Sequence, residues 1–332
     1  MNLATTYMGF ELPHPVIPGS SPLADNLDAV KRLEDAGAPL IILRSLFEEQ
    51  LAPEGINVEL ADGATAAGVI ETPSYLPEPR EYALQPEEYL ELLRKTKAAV
   101  SVPVLGSLNG ISEWGWLRFA RLMEEAGADG LELNLYEVAT EPDLTGQELE
   151  LQQLEVVRAV KETIKIPVAV KLSPFYASIP NFARQLDESG ADALVLFNRF
   201  FEPDVDVERR ELAPVNLSSP SDLSLRLRWT GILAGKVNAS LAVTGGVSTA
   251  ADVVKAVLVG AHATQMVSAL LRNGPAYLAQ VRLDLERWLE EHQVECLRDI
   301  QGTLSLMRCE EAAPYQRANY IRLLQGWRPS RA

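Results

Sequence analysis

Four stretches of this chain repeat one grammar: EDAGAPLIILRS (34–45), EEAGADGLELNL (124–135), DESGADALVLFN (187–198) and VLVGAHATQMVS (257–268). Each closes a helix-like segment, turns on a Gly-Ala pair and enters a short apolar run. Glycine just past a helix is the usual C-terminal cap, because it accepts a left-handed backbone at little cost. The apolar runs are too short for helices and do not alternate cleanly, as expected of strands covered on both faces.

A second set of runs opens differently: SVPVLGSLNG (101–110), KIPVAVKLSP (165–174) and NASLAVTGGV (238–247). Pro103 and Pro167 stop the preceding helix and suit the first residue of a strand. With HPVIPGSSP (14–22) the set reaches eight strands, centred on 16–19, 40–43, 102–106, 130–133, 167–170, 193–197, 241–244 and 263–267. Helix-like segments separate them at 27–37, 86–100, 112–127, 146–164, 180–190, 221–237, 249–260 and 274–292. The segment 27–37 puts Leu27, Val30 and Leu33 on one face, and 86–100 opens with Pro86 followed by two glutamates, which suits the helix dipole. Eight βα units predict an α/β fold, a (β/α)8 TIM barrel, over residues 1–292. Residues 47–85, after strand two, are a long loop insertion of the kind that serves as a lid. Residues 293–332 form a C-terminal helical extension, including NYIRLLQGW (319–327), that packs on the barrel or at a dimer contact.

The 332 residues carry a formal charge of −16, with a pI near 4.7 and a mean hydropathy of −0.01. A nucleic-acid binder carries a basic face, so neither DNA nor RNA is expected as a partner, and anionic membranes are disfavoured for the same reason. An anionic small ligand remains open if the site supplies positive potential locally. Cys296 and Cys309 are too few for a disulfide framework or an iron–sulfur cluster. His14, His262 and His292 have no ligand spacing, so no metal is expected. The N-terminal stretch has no basic leader region, and no apolar run reaches the ~20 residues of a membrane helix. The expectation is a soluble cytoplasmic protein.

Barrel active sites lie at the C-terminal ends of the strands. Those ends read Ser20 and Ser21; Arg44 and Ser45; Ser107 and Asn109; Asn134; Lys171 and Ser173; Asn198; Gly245 and Gly246; and Ser268. Loop polarity alone explains any one of them. Arg44 and Lys171 directly follow apolar runs, however, and a cation in a barrel mouth needs an anionic partner. For Lys171 that partner is either a ligand or a buried carboxylate. TGGV (244–247) ends strand seven and precedes a helix, where barrels bind phosphate on backbone N–H groups, although a plain turn reads the same way. Phosphate at strands seven and eight with a cation at strand five points to flavin mononucleotide (FMN) across the barrel mouth. Lys171 would sit near the flavin ring, with Asn109 and Asn134 at its polar edge.

At these strand ends the chain resembles the dihydroorotate dehydrogenases and their relatives, over roughly residues 3–290. GSS (19–21), LRSLF (43–47), ELNL (132–135), VKLSP (170–174), VTGGV (243–247) and QMVSALLRNGP (265–275) carry the likeness. It is greatest to a divergent, dihydroorotate dehydrogenase-like branch. The resemblance implies FMN held without a covalent bond, Lys171 as the flavin lysine, Asn198 and Arg44 at the substrate, and a homodimer. It also marks departures. The family follows Asn-Leu with Ser-Cys-Pro-Asn or a close variant, in which cysteine or serine is the base and the later asparagine binds orotate. Here Tyr136 and Glu137 follow Leu135, Glu137 falls at the base position, and Ala139 replaces the asparagine. The family's substrate loop falls near 68–76, where this chain reads GVIETPSYL. Ser218 and Ser219 stand where glycines are expected near the phosphate.

The expected function is therefore hydride transfer between FMN and a small, dihydropyrimidine-like substrate, with Glu137 or Tyr136 handling the proton. A solvated loop carboxylate is the plain alternative for Glu137. Three other functions stay open: a true dihydroorotate dehydrogenase of pyrimidine biosynthesis, a non-flavin phosphate-binding barrel enzyme, and a flavin-binding protein without catalysis. Nothing in the chain supplies an iron–sulfur cluster, which a partner subunit could bring.

Overall fold

Gly37, Gly127, Gly190 and Gly260 each sit just past a helix with φ between +88° and +117°, as the repeated grammar requires. The computed structural model of the protein describes residues 1–48, 86–110, 113–135, 137–199, 204–213, 217–317 and 319–326. The lid expectation for 47–85 falls almost wholly outside these residues.

Strands β1 (Thr5–Tyr7) and β2 (Phe10–Leu12) form an antiparallel hairpin. Six strands follow: β3 (Val16–Pro18), β4 (Ile41–Phe47), β5 (Val104–Asn109), β6 (Gly130–Asn134), β7 (Val168–Leu172) and β8 (Ala193–Leu196). A second hairpin, β9 (Asp204–Asp206) and β10 (Glu211–Ala213), precedes β11 (Ser240–Thr244) and β12 (Ala263–Met266). The helices are α1 (Leu27–Asp35), α2 (Pro86–Ala99), α3 (Glu113–Glu125), α4 (Gly146–Thr163), α5 (Ile179–Glu188), α6 (Leu223–Leu233), α7 (Ala250–Val259), α8 (Ser268–Asn273), α9 (Tyr277–Glu291), α10 (Leu297–Ile300) and α11 (Asn319–Gly326).

Eight strands make one parallel sheet in the order β3-β12-β11-β8-β7-β6-β5-β4. This is the (β/α)8 barrel. All eight expected strands are present, with boundaries moved by a few residues. Among the described residues no ladder joins β3 to β4. The Ser20 and Ser45 hydroxyls meet across that seam at 3.2 Å.

Two apolar layers hold the fold. Between strands and helices lie outward strand residues such as Leu131, Leu133, Val168 and Val170, against helix faces such as Ile179, Phe182, Ala183 and Leu186 of α5. Each fully buried side chain of this size contributes about 1.5–3 kcal/mol. Inside the barrel a smaller cluster joins Ile17, Ile42, Leu105, Val195 and four strand alanines to Tyr7, Met8 and Leu12 of the N-terminal hairpin. The hairpin thus plugs the barrel floor, so solvent and ligands meet the interior at the opposite end. Capping boxes fix two helix starts, Thr145 with Glu148 on α4 and Thr249 with Asp252 on α7.

Beyond α9 the chain turns back along the barrel. The N–H groups of Gly302, Leu304 and Leu306 donate to Val257, Leu258 and Gly231 carbonyls at 2.8–2.9 Å. Among the described residues no helix is long and apolar enough to cross a membrane.

Candidate active site

A cavity of about 380 Å³ opens at the C-terminal ends of the strands. Strand alternation decides what reaches it. On β5 the inward residues run Leu105, Ser107, Asn109; on β6, Glu132 and Asn134; on β7, Ala169 and Lys171; on β12, Ala263 and Gln265.

One wall is a hydroxyl and amide network. The Ser45 hydroxyl lies 2.8 Å from that of Ser107. Asn134 Nδ2 donates to Ser107 Oγ at 3.0 Å, to Ser45 Oγ at 3.2 Å and to the Leu108 carbonyl at 3.2 Å. The NH₂ of Asn134 is therefore fully used, and no described residue donates to its Oδ1. Ser20, Ser45, Asn109 and Asn134 all line the cavity.

Lys171 lines it too, and its Nζ lies 3.3 Å from Oε1 of Glu132, which is wholly buried. Lys171 is thus both a cavity-lining cation and half of a buried pair. Gln265 Nε2 donates to the other Glu132 oxygen at 2.5 Å. The Gln265 carbonyl oxygen is buried with no hydrogen-bond partner among the described residues, in a side chain that lines the cavity. Beneath, burial and then the Glu132 carboxylate hold the Tyr7 hydroxyl well above the ordinary tyrosine range, so it stays neutral.

The opposite wall is built from glycine and serine. Gly245 and Gly246 have φ of +87° and +83°. A Cβ on Gly246 would lie 2.5 Å from the Leu223 backbone nitrogen, so both conformation and space demand glycine. Ser218 Oγ meets Ser268 Oγ at 2.7 Å, and the Gly246 N–H points to Ser218 Oγ at 3.4 Å. Arg226 Nε holds the Thr244 carbonyl at 3.1 Å and Arg272 Nη1 the Ser218 carbonyl at 3.1 Å.

The structure does not bring every expected residue here. The β4–β5 register shifts between Ile42 and Ser45. This bulge makes Ser45 and Phe47 the inward residues and turns Arg44 out. Arg44 pairs with Asp25 at 3.0 Å and does not line the cavity. Ser21 is buried and does not line the cavity, its hydroxyl without a partner among the described residues. Glu137 is exposed and not among the lining residues; Tyr136 and the segment 68–76 lie outside the described residues. Asn198 does line the cavity, as do residues the sequence reading passed over, among them Phe47, Phe197, Arg199 and Gln265. Glu132 was legible in principle. A charge at the centre of the run LEL, in a strand covered on both faces, must point inward and find a partner.

The sequence profile described as dihydroorotate dehydrogenase matches residues 84–289 of the chain. The chain belongs to this family. Among its relatives is a dihydroorotate dehydrogenase B (NAD(+)) catalytic subunit of Desulforudis audaxviator, 30% identical over 90% of this chain and 96% of that protein. A protein of the same description from Thermoplasma volcanium is 25% identical over 91% of this chain and 98% of its own length. A putative dihydroorotate dehydrogenase A (fumarate) of Aeropyrum pernix is 27% identical over 90% and 96%. Membership places the chain among flavin-dependent oxidoreductases that act on a CH–CH bond.

The cavity fits a flavin on its own evidence. A buried carboxamide oxygen without a partner among the described residues, on Gln265, lies at the Lys171 end. At the other end the Gly245–Gly246 turn lines the cavity beside the Ser218 and Ser268 hydroxyls. The donor set runs from ammonium and amides to backbone N–H groups and serine hydroxyls, matching a polar ring edge at one end and a phosphate at the other.

Proposed function

We propose that the chain is an FMN-dependent oxidoreductase acting on a small, dihydropyrimidine-like substrate. The observation that carries this reading is that Lys171 and the Gly245–Gly246 turn line one and the same cavity. Lys171 would face the flavin ring, with Ser20, Ser45, Asn109 and Asn134 at its polar edge. Gly245, Gly246 and Ser268 would hold the phosphate, and Asn198 the substrate. The bound flavin supplies two-electron chemistry, taking a hydride from the substrate or giving one to it. The Lys171 ammonium favours negative charge on whatever lies beside it. Proton transfer falls to Tyr136 or Glu137, in the segment directly after β6. The assembly is a homodimer in the cytoplasm, a part of the reading that rests on the family resemblance and that sedimentation tests.

The visible spectrum of the purified protein decides the cofactor. A flavin band, with FMN released on heating and taken up again by the stripped protein, is the expected result. A colourless protein that takes up no FMN overturns the proposal.

The names of the relatives favour a second reading in which dihydroorotate itself is the substrate. Anaerobic addition of dihydroorotate would then bleach the flavin. An unbleached spectrum dismisses this reading and leaves the first in place.

A further inference from the structure

A second cavity, of about 360 Å³, opens at the other end of the barrel. It lies among the first residues of β11 and β12, the chain just past α6 and α7, and residues 298–308. His262, directly before β12, accepts the Leu241 N–H on Nδ1 at 3.0 Å, so its proton sits on Nε2. That Nε2 makes no hydrogen bond with any described residue. Ser305 lines the same cavity and is only 2% exposed, and its hydroxyl also has no partner among the described residues. Both atoms remain open to solvent. Around them stand Arg298, whose charge reaches the His262 ring, and Arg308. Arg308 Nη1 donates to the Gln301 carbonyl at 3.0 Å and Gln301 Nε2 to the Ala261 carbonyl at 3.0 Å. This arm therefore reaches back to the residue beside His262. In a chain of net charge −16, no carboxylate is among the described lining residues.

The C-terminal ends of α6 and α7 lie here, and cations are favoured beside such ends. That plain account of the arginines falls short. The Gly231, Val257 and Leu258 carbonyls are already taken by the N–H groups of Leu306, Gly302 and Leu304, which mutes the half-charges. The guanidinium groups bond elsewhere, Arg298 Nη2 to Thr6 and Glu11 at 2.7 Å and Arg308 Nη1 to Gln301. Each uses one nitrogen and keeps further donors for a ligand. Nor does a helix end explain Ser305, since a hydroxyl in so buried a residue is ordinarily bonded. We infer that this cavity binds a phosphate dianion, free or on a small monoester. His262 Nε2 and Ser305 Oγ would donate to its oxygens, while Arg298 and Arg308 supply charge. A tetrahedral phosphate presents oxygens in several directions, which suits donors arriving from separate segments. The site is distinct from the Gly245–Gly246 wall, which stands at the opposite ends of the same strands.

Calorimetric titration at constant ionic strength tests this on the protein as purified, with whatever FMN it carries. The probes are inorganic phosphate and glycerol 3-phosphate, with glycerol as the uncharged control. Saturable binding of at least one phosphate probe is expected, and none of glycerol. Tighter binding of glycerol 3-phosphate marks a monoester as the ligand, and tighter binding of inorganic phosphate marks the free ion. Arg308→Gln and Ser305→Ala should each weaken binding about 10-fold or more, as expected for losing a hydrogen bond to a charged group. Both should keep wild-type flavin content and melting temperature, because Arg308 is exposed and the Ser305 hydroxyl bonds to no described residue. Arg308→Lys should retain part of the affinity. The inference is overturned if neither probe binds, or if either Arg308→Gln or Ser305→Ala binds as the wild type does, which would put the phosphate elsewhere. A variant that loses FMN in step with phosphate overturns it too, by placing the effect in the candidate active site.

Discussion

Glu132 and Lys171 face one another inside the barrel from neighbouring strands, with Oε1 and Nζ 3.3 Å apart and the carboxylate wholly buried. Gln265 takes the second carboxylate oxygen at 2.5 Å, so the carboxylate is held from two sides and the ammonium is aimed at the cavity. Removing one partner of such a pair leaves the other charge uncompensated, at a cost of about 3–5 kcal/mol. Glu132→Gln is therefore expected to lower the melting temperature markedly and to weaken flavin retention. Glu132→Gln combined with Lys171→Met should recover much of the stability and none of the activity. Urea unfolding of the two variants, read beside their flavin content, checks both halves.

Gly246→Ala should damage the site at its other end. A non-glycine residue at φ +83° costs about 1–2 kcal/mol, and its methyl group would press on the Leu223 backbone, which cannot step aside as a flexible side chain could. The expected outcome is a protein that folds less stably and has lost most of its FMN affinity. Titration of the stripped variant with FMN and with riboflavin locates the fault. A loss confined to FMN marks the phosphate cradle, whereas an equal loss for both means general distortion.

The barrel was legible because its signals are local. A glycine cap, a proline stop and a doubly covered apolar run each follow from backbone chemistry within a few residues. The floor hairpin escaped because its strands are three residues long and its two-residue turn carries Met8 at φ +52° before Gly9, where Asn or Asp would have announced it. At the site, Lys171, Asn134 and the paired glycines were readable as strand ends. Arg44 was misplaced for a different reason. Alternation assigns it a face only if the register is unbroken, and the bulge that shifts β4 against β5 has no signature in IILRSLF. Glu132 and Gln265 were hidden by the habit of reading strand interiors as core.

That bulge makes a prediction of its own. Arg44 and Asp25 are each about a quarter to a third exposed, and burial raises the Asp25 carboxyl in spite of its partner. Such a pair contributes under about 1 kcal/mol. Arg44→Ala should leave flavin content and melting temperature nearly unchanged. Ser45→Ala removes the hydroxyl that touches Ser20, Ser107 and Asn134 at once, and should loosen Asn134 and weaken FMN binding several-fold. Parallel FMN titrations of the two variants give the comparison, and a larger loss for Arg44→Ala would mean that Arg44 reaches the ligand after all.

Two histidines, His14 buried and His262 half-buried, should contribute to the acid sensitivity of the fold. His14 Nδ1 accepts the Val16 N–H at 3.3 Å while its Nε2 meets the Gly37 carbonyl at 2.8 Å, and His262 Nδ1 accepts the Leu241 N–H at 3.0 Å. Both rings are thus neutral, and burial holds both below the usual histidine value. The unfolded chain takes up protons first, near the ordinary value of about 6.5. The stability these rings supply is then complete above that pH and is lost as the pH falls toward their lower folded values. The melting temperature should accordingly hold from pH 8 to about 6.5 and decline from there toward pH 5. His262→Asn keeps an acceptor for the Leu241 N–H without a titrating ring, so it should flatten part of that decline. If the two proteins lose stability with the same slope, His262 is not one of the groups responsible.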